Sequence, residues 1–233
     1  MLIYHLKQLI RDILLLAGNP FGIVNFSPQH KCLIGLGPFD SLVHIGANTG
    51  QEMATYEFMA IPHVVWIEAD PRALRWLRFR NFIYRSRGQI LEGLVDEVSG
   101  KEVDFYLMSQ SGASSMFRPT GVLGLNSKMR VRGNRKMTTK SADEILIENH
   151  LILNGTNNCL VLDVQGAEYK VLKGFKRHDL VKFKTIMFET APNLYDAPNE
   201  ESEIKNLLVN LGYEETFTPL RSSWDDVIFT RVE

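Results

Sequence analysis

Ser41-Leu42-Val43-His44-Ile45-Gly46-Ala47-Asn48-Thr49-Gly50 is a short, mostly apolar run that breaks into a turn framed by two glycines. A strand buried on both faces reads as a continuous apolar stretch, and glycine lets the backbone turn sharply and approach a ligand. A second apolar run, Val64-Val65-Trp66-Ile67, ends in Glu68, at about the twenty-residue spacing that suits a ribose-binding acid. An acid at such a strand tip is placed to accept hydrogen bonds from a ribose diol. Strand, glycine turn, helix, strand and acid together predict a pocket for a nucleoside-bearing cofactor.

Outward from this unit, apolar runs alternate with helical patterns. Strands are expected at Leu42 to Ile45, Val64 to Ile67, Gln89 to Val95, Val103 to Met108, Leu160 to Val164 and Thr185 to Phe188. Helices are expected at Gly50 to Ala60, Arg72 to Tyr84, Ser141 to Leu153, Tyr169 to Phe175 and Glu200 to Leu211. Such alternation implies right-handed crossovers and a parallel sheet covered on both faces. At the C-terminus, Tyr213 to Leu220 and Asp226 to Val232 read as strands joined by Arg221-Ser222-Ser223-Trp224-Asp225. That link is too short for a crossover helix and predicts an antiparallel hairpin. The expected fold is therefore α/β and Rossmann-like, mostly parallel, with a C-terminal hairpin. Residues 1–39 are expected to form an N-terminal amphipathic helix and a connecting loop, and residues 40–233 the cofactor-binding domain. Leu2, Ile3, Leu6, Leu9, Ile10, Ile13 and Leu14 recur at helical spacing, a face that packs on its own domain or builds a homodimer. A membrane-surface helix is the alternative. Pro20 to Asp40, rich in Gly, Pro and Asn, reads as the loop.

The chain of 233 residues is 45% hydrophobic and 23% charged, with a net charge of −1, ordinary values for a globular protein with one sizeable core. A near-zero charge gives the whole molecule no bias toward nucleic acid, and no basic platform interleaved with aromatics stands out, so no nucleic-acid partner is expected. Cys32 and Cys159 are the only cysteines, without metal-ligand spacing or a disulfide framework, which points to reduced thiols and a cytoplasmic location. No apolar run approaches the roughly 20 residues of a transmembrane helix, and Lys7, Arg11 and Asp12 interrupt any signal-peptide core.

The glycine turn has the spacing G-x-x-x-G and lacks the middle glycine of the dinucleotide fingerprint, with Asn48 at the crowded point. It suits a cofactor without a pyrophosphate, such as S-adenosylmethionine. This weighs against a nicotinamide-dependent oxidoreductase. The non-enzyme rival is a catalytically inactive cofactor-binding or interaction module. Gly46, Ala47, Asn48, Thr49 and Gly50 supply the turn, Glu68 the ribose contact, and Ala69 and Asp70 the border of the adenine. Asp70 is equally suited to capping the helix that Pro71 opens. Leu94, Val95 and Asp96 are placed by position to flank the adenine ring.

A second constellation is Cys159-Leu160-Val161-Leu162-Asp163-Val164-Gln165-Gly166-Ala167-Glu168. A strand ends in an acid, turns through a glycine, and opens a helix with Glu168 in its first turn, where the helix dipole also favours an acid. Ligands bind beyond the carboxyl ends of such strands. Asp163 is the first candidate for a general base, with Glu168 and Glu189 behind it, and it also lies within reach of the cofactor. Paired acids on this rim could instead hold a divalent metal.

These segments, with the Gly112-Ala113-Ser114-Ser115 loop and Val171-Leu172-Lys173-Gly174, resemble the FkbM-type methyltransferases from about Phe39 onward. The resemblance implies a class I S-adenosylmethionine-dependent methyltransferase acting on hydroxyls of sugars, glycans or natural products. It also implies a cofactor role for the residue two before the first glycine. The family's acid there is His44 in this chain, a residue suited either to a hydrogen bond with the cofactor's methionine end or to the core. The family's acid between Val164 and Gly166 is here Gln165.

Charge is unevenly spread. Arg72, Arg75, Arg78, Arg80, Arg85 and Arg87 fall in one stretch without an acid, and Lys128, Arg130, Arg132, Arg135, Lys136 and Lys140 form another. Solvated faces explain many such runs, while arginine forks also recognise anionic acceptors such as sugar nucleotides. Met116 to Thr139, long, basic and poorly patterned, reads as a substrate-binding insertion or lid.

Overall fold

In chain order the elements begin with α1 (Pro28–Leu36), β1 (Ser41–Ile45), α2 (Met53–Phe58), β2 (His63–Glu68), α3 (Pro71–Ile83), β3 (Gln89–Glu92) and β4 (Leu94–Val95). Next come β5 (Glu102–Met108), a 3-10 turn at Ser111–Ala113, α4 (Val122–Leu125), β6 (Val131–Lys140), α5 (Ala142–Glu148), β7 (Asn158–Leu162) and α6 (Glu168–Lys173). The chain ends with α7 (Arg177–Leu180), β8 (Phe183–Thr190), α8 (Glu201–Asn210), β9 (Tyr213–Phe217) and β10 (Asp225–Arg231). This structure is a computed structural model, and it describes residues 10–15, 17, 26–125, 128–151, 153, 155–190, 193–198, 200–218 and 225–232.

Seven strands form the main sheet in the order β3-β2-β1-β7-β8-β10-β9. β1 pairs in parallel with β2 and β7, and β8 in parallel with β7. β10 runs antiparallel to both β8 and β9, the expected terminal hairpin. Every residue of β1 and of β7 is buried, as their unbroken apolar runs require. Alternate side chains feed two layers. Val43, Ile45, Leu160, Leu162, Ile186 and Phe188 face α5, α6 and α8. Leu42, Trp66, Cys159, Val161 and Met187 face α1, α2 and α3. No described helix is long and apolar enough to cross a membrane.

Several expectations need correction. The Pro20 to Asp40 segment contains α1, whose Leu33 is fully buried in the main core. Of the predicted N-terminal helix, residues 1–9 lie outside the described residues. Residues 10–15 are helical, but Ile10 and Ile13 face solvent while Asp12 is buried. Polar contacts orient the turn: the Tyr84 hydroxyl donates to Asp12 at 2.5 Å, and Arg11 donates to Thr55 Oγ1 at 3.0 Å.

The predicted strand Gln89 to Val95 is two strands. It breaks at Gly93, and β4 leaves the main sheet to pair with β6 in a small sheet of order β4-β6-β5. Residues 131–140, read as unpatterned, form that ten-residue strand. Most of β6 is exposed, so no apolar alternation marks it. Of the predicted strand Tyr213 to Leu220, the part through Phe217 is observed, and Pro219 and Leu220 lie outside the described residues.

Candidate active site

β1 lies between β2 and β7, where the chain's direction of travel across the sheet reverses, and a cleft opens beyond its carboxyl end. Such a reversal leaves two loops diverging to opposite faces with a crevice between them. The cleft encloses about 500 Å³ and continues into solvent. The Gly46 amide donates to the Ile67 carbonyl at 2.9 Å, and the Asp163 amide donates to the Ile45 carbonyl at 2.9 Å, so both acidic strand tips are tied to the glycine turn. Gly46 has φ +87, and a Cβ there would stand 1.8 Å from the Asp163 carbonyl oxygen. No other residue fits that contact.

Glu68, at the tip of β2, is buried at the cleft wall. Its Oε2 accepts from the Asn48 amide at 2.6 Å and its Oε1 from the Asp70 amide at 2.6 Å. Burial pushes its carboxyl up to about 7, against the opposing effect of these hydrogen bonds. Each oxygen keeps a second lone pair for a further donor. Asn48 itself is held from across the cleft, its Oδ1 accepting from Ser111 Oγ at 2.7 Å.

Asp70 stands apart from the lining and caps α3. Its Oδ1 accepts from the Arg72 amide at 2.9 Å, and Oδ2 from Arg72 Nη2 at 2.5 Å and Ser114 Oγ at 3.1 Å. Burial raises this carboxyl, but the Arg72 contacts outweigh it and leave it below its ordinary value.

Asp163, Val164 and Gln165 form the opposite wall. Gln165 sits at φ +56. Its Nε2 donates to Asp163 Oδ1 at 2.5 Å and also to Glu189 Oε2, and its Oε1 accepts from the Tyr195 hydroxyl at 2.8 Å. Burial raises Asp163 to about 6, with Gln165 opposing and Asp226 adding. Burial, then the charges of Asp163 and Glu168, raise Glu189 well above the usual carboxylate range. Glu189 and Tyr195 line a neighbouring cleft of about 470 Å³, so Gln165 bridges the two.

Glu168 serves the turn that bears these groups: its carboxylate accepts from the amides of Val164 at 3.0 Å and Gly166 at 3.0 Å. Burial pushes it up to about 7.

The structure thus brings Gly46, Asn48, Glu68, Ala69, Val95 and Asp163 to one cleft. Ala47 and His44 lie instead in the core, and Thr49 and Gly50 are outside the lining. His44 is packed against Trp66 at 5.5 Å between ring centres and hydrogen-bonded through Nδ1 to the Tyr56 hydroxyl at 3.2 Å. Burial holds its imidazole down at about 3. Asp96 turns away to Lys170, at 3.6 Å. Among the described residues no group of three or more His, Cys, Asp or Glu side chains is arranged to hold a metal ion.

Phe105 and Ser111, to which sequence reasoning assigned no role, also line the cleft, as does Met116, the first residue of the expected substrate-binding insertion. The Gly112-Ala113-Ser114-Ser115 loop was the signal beside them. The Tyr195 contact had none, because the loop after β8 carries no periodicity.

The sequence profile of the methyltransferase FkbM domain matches residues 44–215. No curated protein matches the chain in sequence. Among solved structures, methyltransferase FkbM from Methylobacillus flagellatus KT superposes with a TM-score of 0.54 at 15% identity, over 90% of this chain and 45% of that one. The chain thus spans less than half the length of that protein, and the likeness is one of fold. TrmK of M. capricolum, solved with the cofactor product S-adenosyl-homocysteine, gives a TM-score of 0.48 at 11% identity, over 88% of this chain and 68% of that one. With a profile match that runs from β1 into β9 and takes in both acidic strand tips, this chain belongs to the FkbM methyltransferase family.

Proposed function

We propose that this protein transfers the methyl group of S-adenosylmethionine to a hydroxyl of a sugar, glycan or natural-product acceptor, anionic acceptors included. The observation that carries this reading is the pairing of Glu68 and Asp163 on opposite walls of one cleft at the strand-order reversal. The cleft fits the cofactor in two respects. Leu94, Val95, Phe105 and Met116 give it an apolar wall suited to a flat heteroaromatic ring. Gly46 keeps the floor open, and Glu68 offers two oxygens to vicinal hydroxyls.

When bound, the cofactor supplies an electrophilic methyl group on a sulfonium centre. The chain's own residues do the rest. The cleft walls hold reactants in line, which can supply much of the rate. An acceptor hydroxyl becomes a competent nucleophile as its proton leaves, and the Asp163 carboxyl, held at Oδ1 by Gln165, is the acceptor for that proton. A carboxyl near 6 is close enough to neutrality to take the proton and release it afterwards. Gln165 keeps Asp163 and Glu189 together without adding charge. Arg132 and Arg135 lie exposed on the small sheet that contributes Phe105 to the cleft, with Arg130 exposed just before it, which favours an anionic acceptor.

Calorimetric titration with S-adenosylmethionine, followed by transfer of labelled methyl to hydroxyl acceptors with and without phosphate, tests the reading. Binding that disappears in Glu68→Ala, with turnover on a hydroxyl acceptor, is the expected result. Binding without turnover on any hydroxyl acceptor would overturn O-methylation.

A further inference from the structure

The outer face of α3 has no role in the cleft. Ala73, Leu74 and Leu77 bury one side of this thirteen-residue helix. The other side carries Trp76, Phe79, Phe82 and Ile83, each at least half exposed, and Phe82 is 78% exposed. Arg75 and Arg78 stand on the same side, and Arg85 and Arg87 follow just past the helix end, all exposed. From residue 71 to 91 the chain has six arginines and no acidic side chain. Arg72 is taken up by Asp70 at 2.5 Å, at the start of α3, and Arg78 reaches Glu92 at 3.8 Å, in an exposed pair of the kind that contributes little. The bond from Tyr84 to Asp12 docks the 10–15 turn at the C-terminal end of α3, which brings the exposed Ile10 and Ile13 close by. Large apolar side chains at this exposure are unusual on one helix, and contiguous patches mark interaction sites. The aromatic and basic interleaving escaped the sequence reading because the two residue types alternate without a separate polar stripe.

We propose that this face docks the protein on an anionic lipid surface. Phenylalanine, tryptophan and isoleucine enter the boundary between headgroups and acyl chains, while arginine stems lie along the apolar surface and place their guanidinium groups among lipid phosphates. Charge complementarity selects this occupant. A second copy meeting the face through two-fold symmetry would set Arg75 and Arg78 against their own counterparts. Single-stranded RNA stacks its bases on aromatic rings, which leaves no use for the isoleucines. Anionic lipid satisfies the arginines and the aliphatic side chains together.

The test is co-sedimentation of the full chain with vesicles of phosphatidylcholine alone and of equal parts phosphatidylcholine and phosphatidylglycerol. Binding to the mixed vesicles only, weakened by salt, is expected. Arg75→Glu with Arg78→Glu, and separately Phe79→Ser with Phe82→Ser, should each weaken it on the order of tenfold. All four side chains are exposed, so melting temperature and cofactor binding should stay at the wild-type values. A wild-type chain that stays in the supernatant with anionic vesicles overturns the proposal. So does a dimer in solution that Phe82→Asp dissociates, or retention by an RNA oligonucleotide that survives Ile83→Ser but not Phe79→Ser.

Discussion

Gln165 and Glu189 are joined by a hydrogen bond from the Gln165 amide to the Glu189 carboxylate, and the same amide nitrogen holds Asp163. A neutral side chain therefore sits between two partly buried acids. Gln165→Glu puts a third carboxyl there. At about pH 8 we expect it to destabilise the fold by about 1–3 kcal/mol, because a partly buried group loses its donor and gains repulsion. At about pH 5 a protonated Glu can donate as the amide does, and most of the loss should disappear. Urea unfolding at both pH values decides; an equal loss at each would show that charge is not the issue.

Asp163→Asn should lower turnover by about 10²–10⁴-fold, the usual worth of a positioned base, while cofactor binding persists. In the wild-type chain the rate should fall as pH drops through about 6, where Asp163 takes up its proton. A pH–rate profile that is flat through this region, or turnover that survives the substitution, would remove Asp163 from the reaction.

For Glu68, the folded-state value of about 7 lies above the ordinary 4.5. The folded chain thus binds a proton that the unfolded chain has released. Its contribution to stability is fully present below 4.5 and declines as pH rises through about 7. Cofactor affinity should move the other way, rising through about pH 7 as the carboxylate forms. Glu68→Ala should cost on the order of tenfold or more in affinity, since hydrogen bonds to charged groups contribute about 1.5–3 kcal/mol. Calorimetry across the pH range reads both effects.

His44 offers a contrast. Its Nε2 has no hydrogen-bond partner among the described residues, and only the Tyr56 hydroxyl engages its Nδ1. His44→Leu should leave that hydroxyl unsatisfied and cost about 1–3 kcal/mol, most of it regained when Tyr56→Phe is added. Because the folded-state value is about 3 against 6.5, the histidine's contribution holds above 6.5 and is lost as pH falls toward 3. The double variant should escape that acid loss. S-adenosylmethionine affinity should not change; a tenfold drop would return His44 to the cofactor site.

The strands of the main sheet were legible because β1 and β7 are buried along their whole length, and β2 over its last three residues, and so cannot hide their apolar runs. Glu68 and Asp163 were legible because they interrupt such runs at the tip. His44 shows the limit of a linear motif. The family position suggested a ligand contact, but the β1 pleat turns this side chain toward Trp66 and Tyr56, into the opposite layer. The small sheet was hidden because β6 is exposed on most of its length. The contact between Tyr195 and Gln165 spans thirty residues of sequence without a shared pattern, so only the folded chain reveals it.

At Gly93 a single run of backbone changes allegiance. Gln89–Glu92 belongs to the main sheet, and Leu94–Val95, which lines the cleft, is laced instead to Thr139 and Lys140 of β6. The small sheet is thus no detachable ornament. Any shift in the register of β6 drags the Leu94–Val95 wall with it. The exposed face of β6 can diversify freely in side chain, but its end is bound to one fixed geometry.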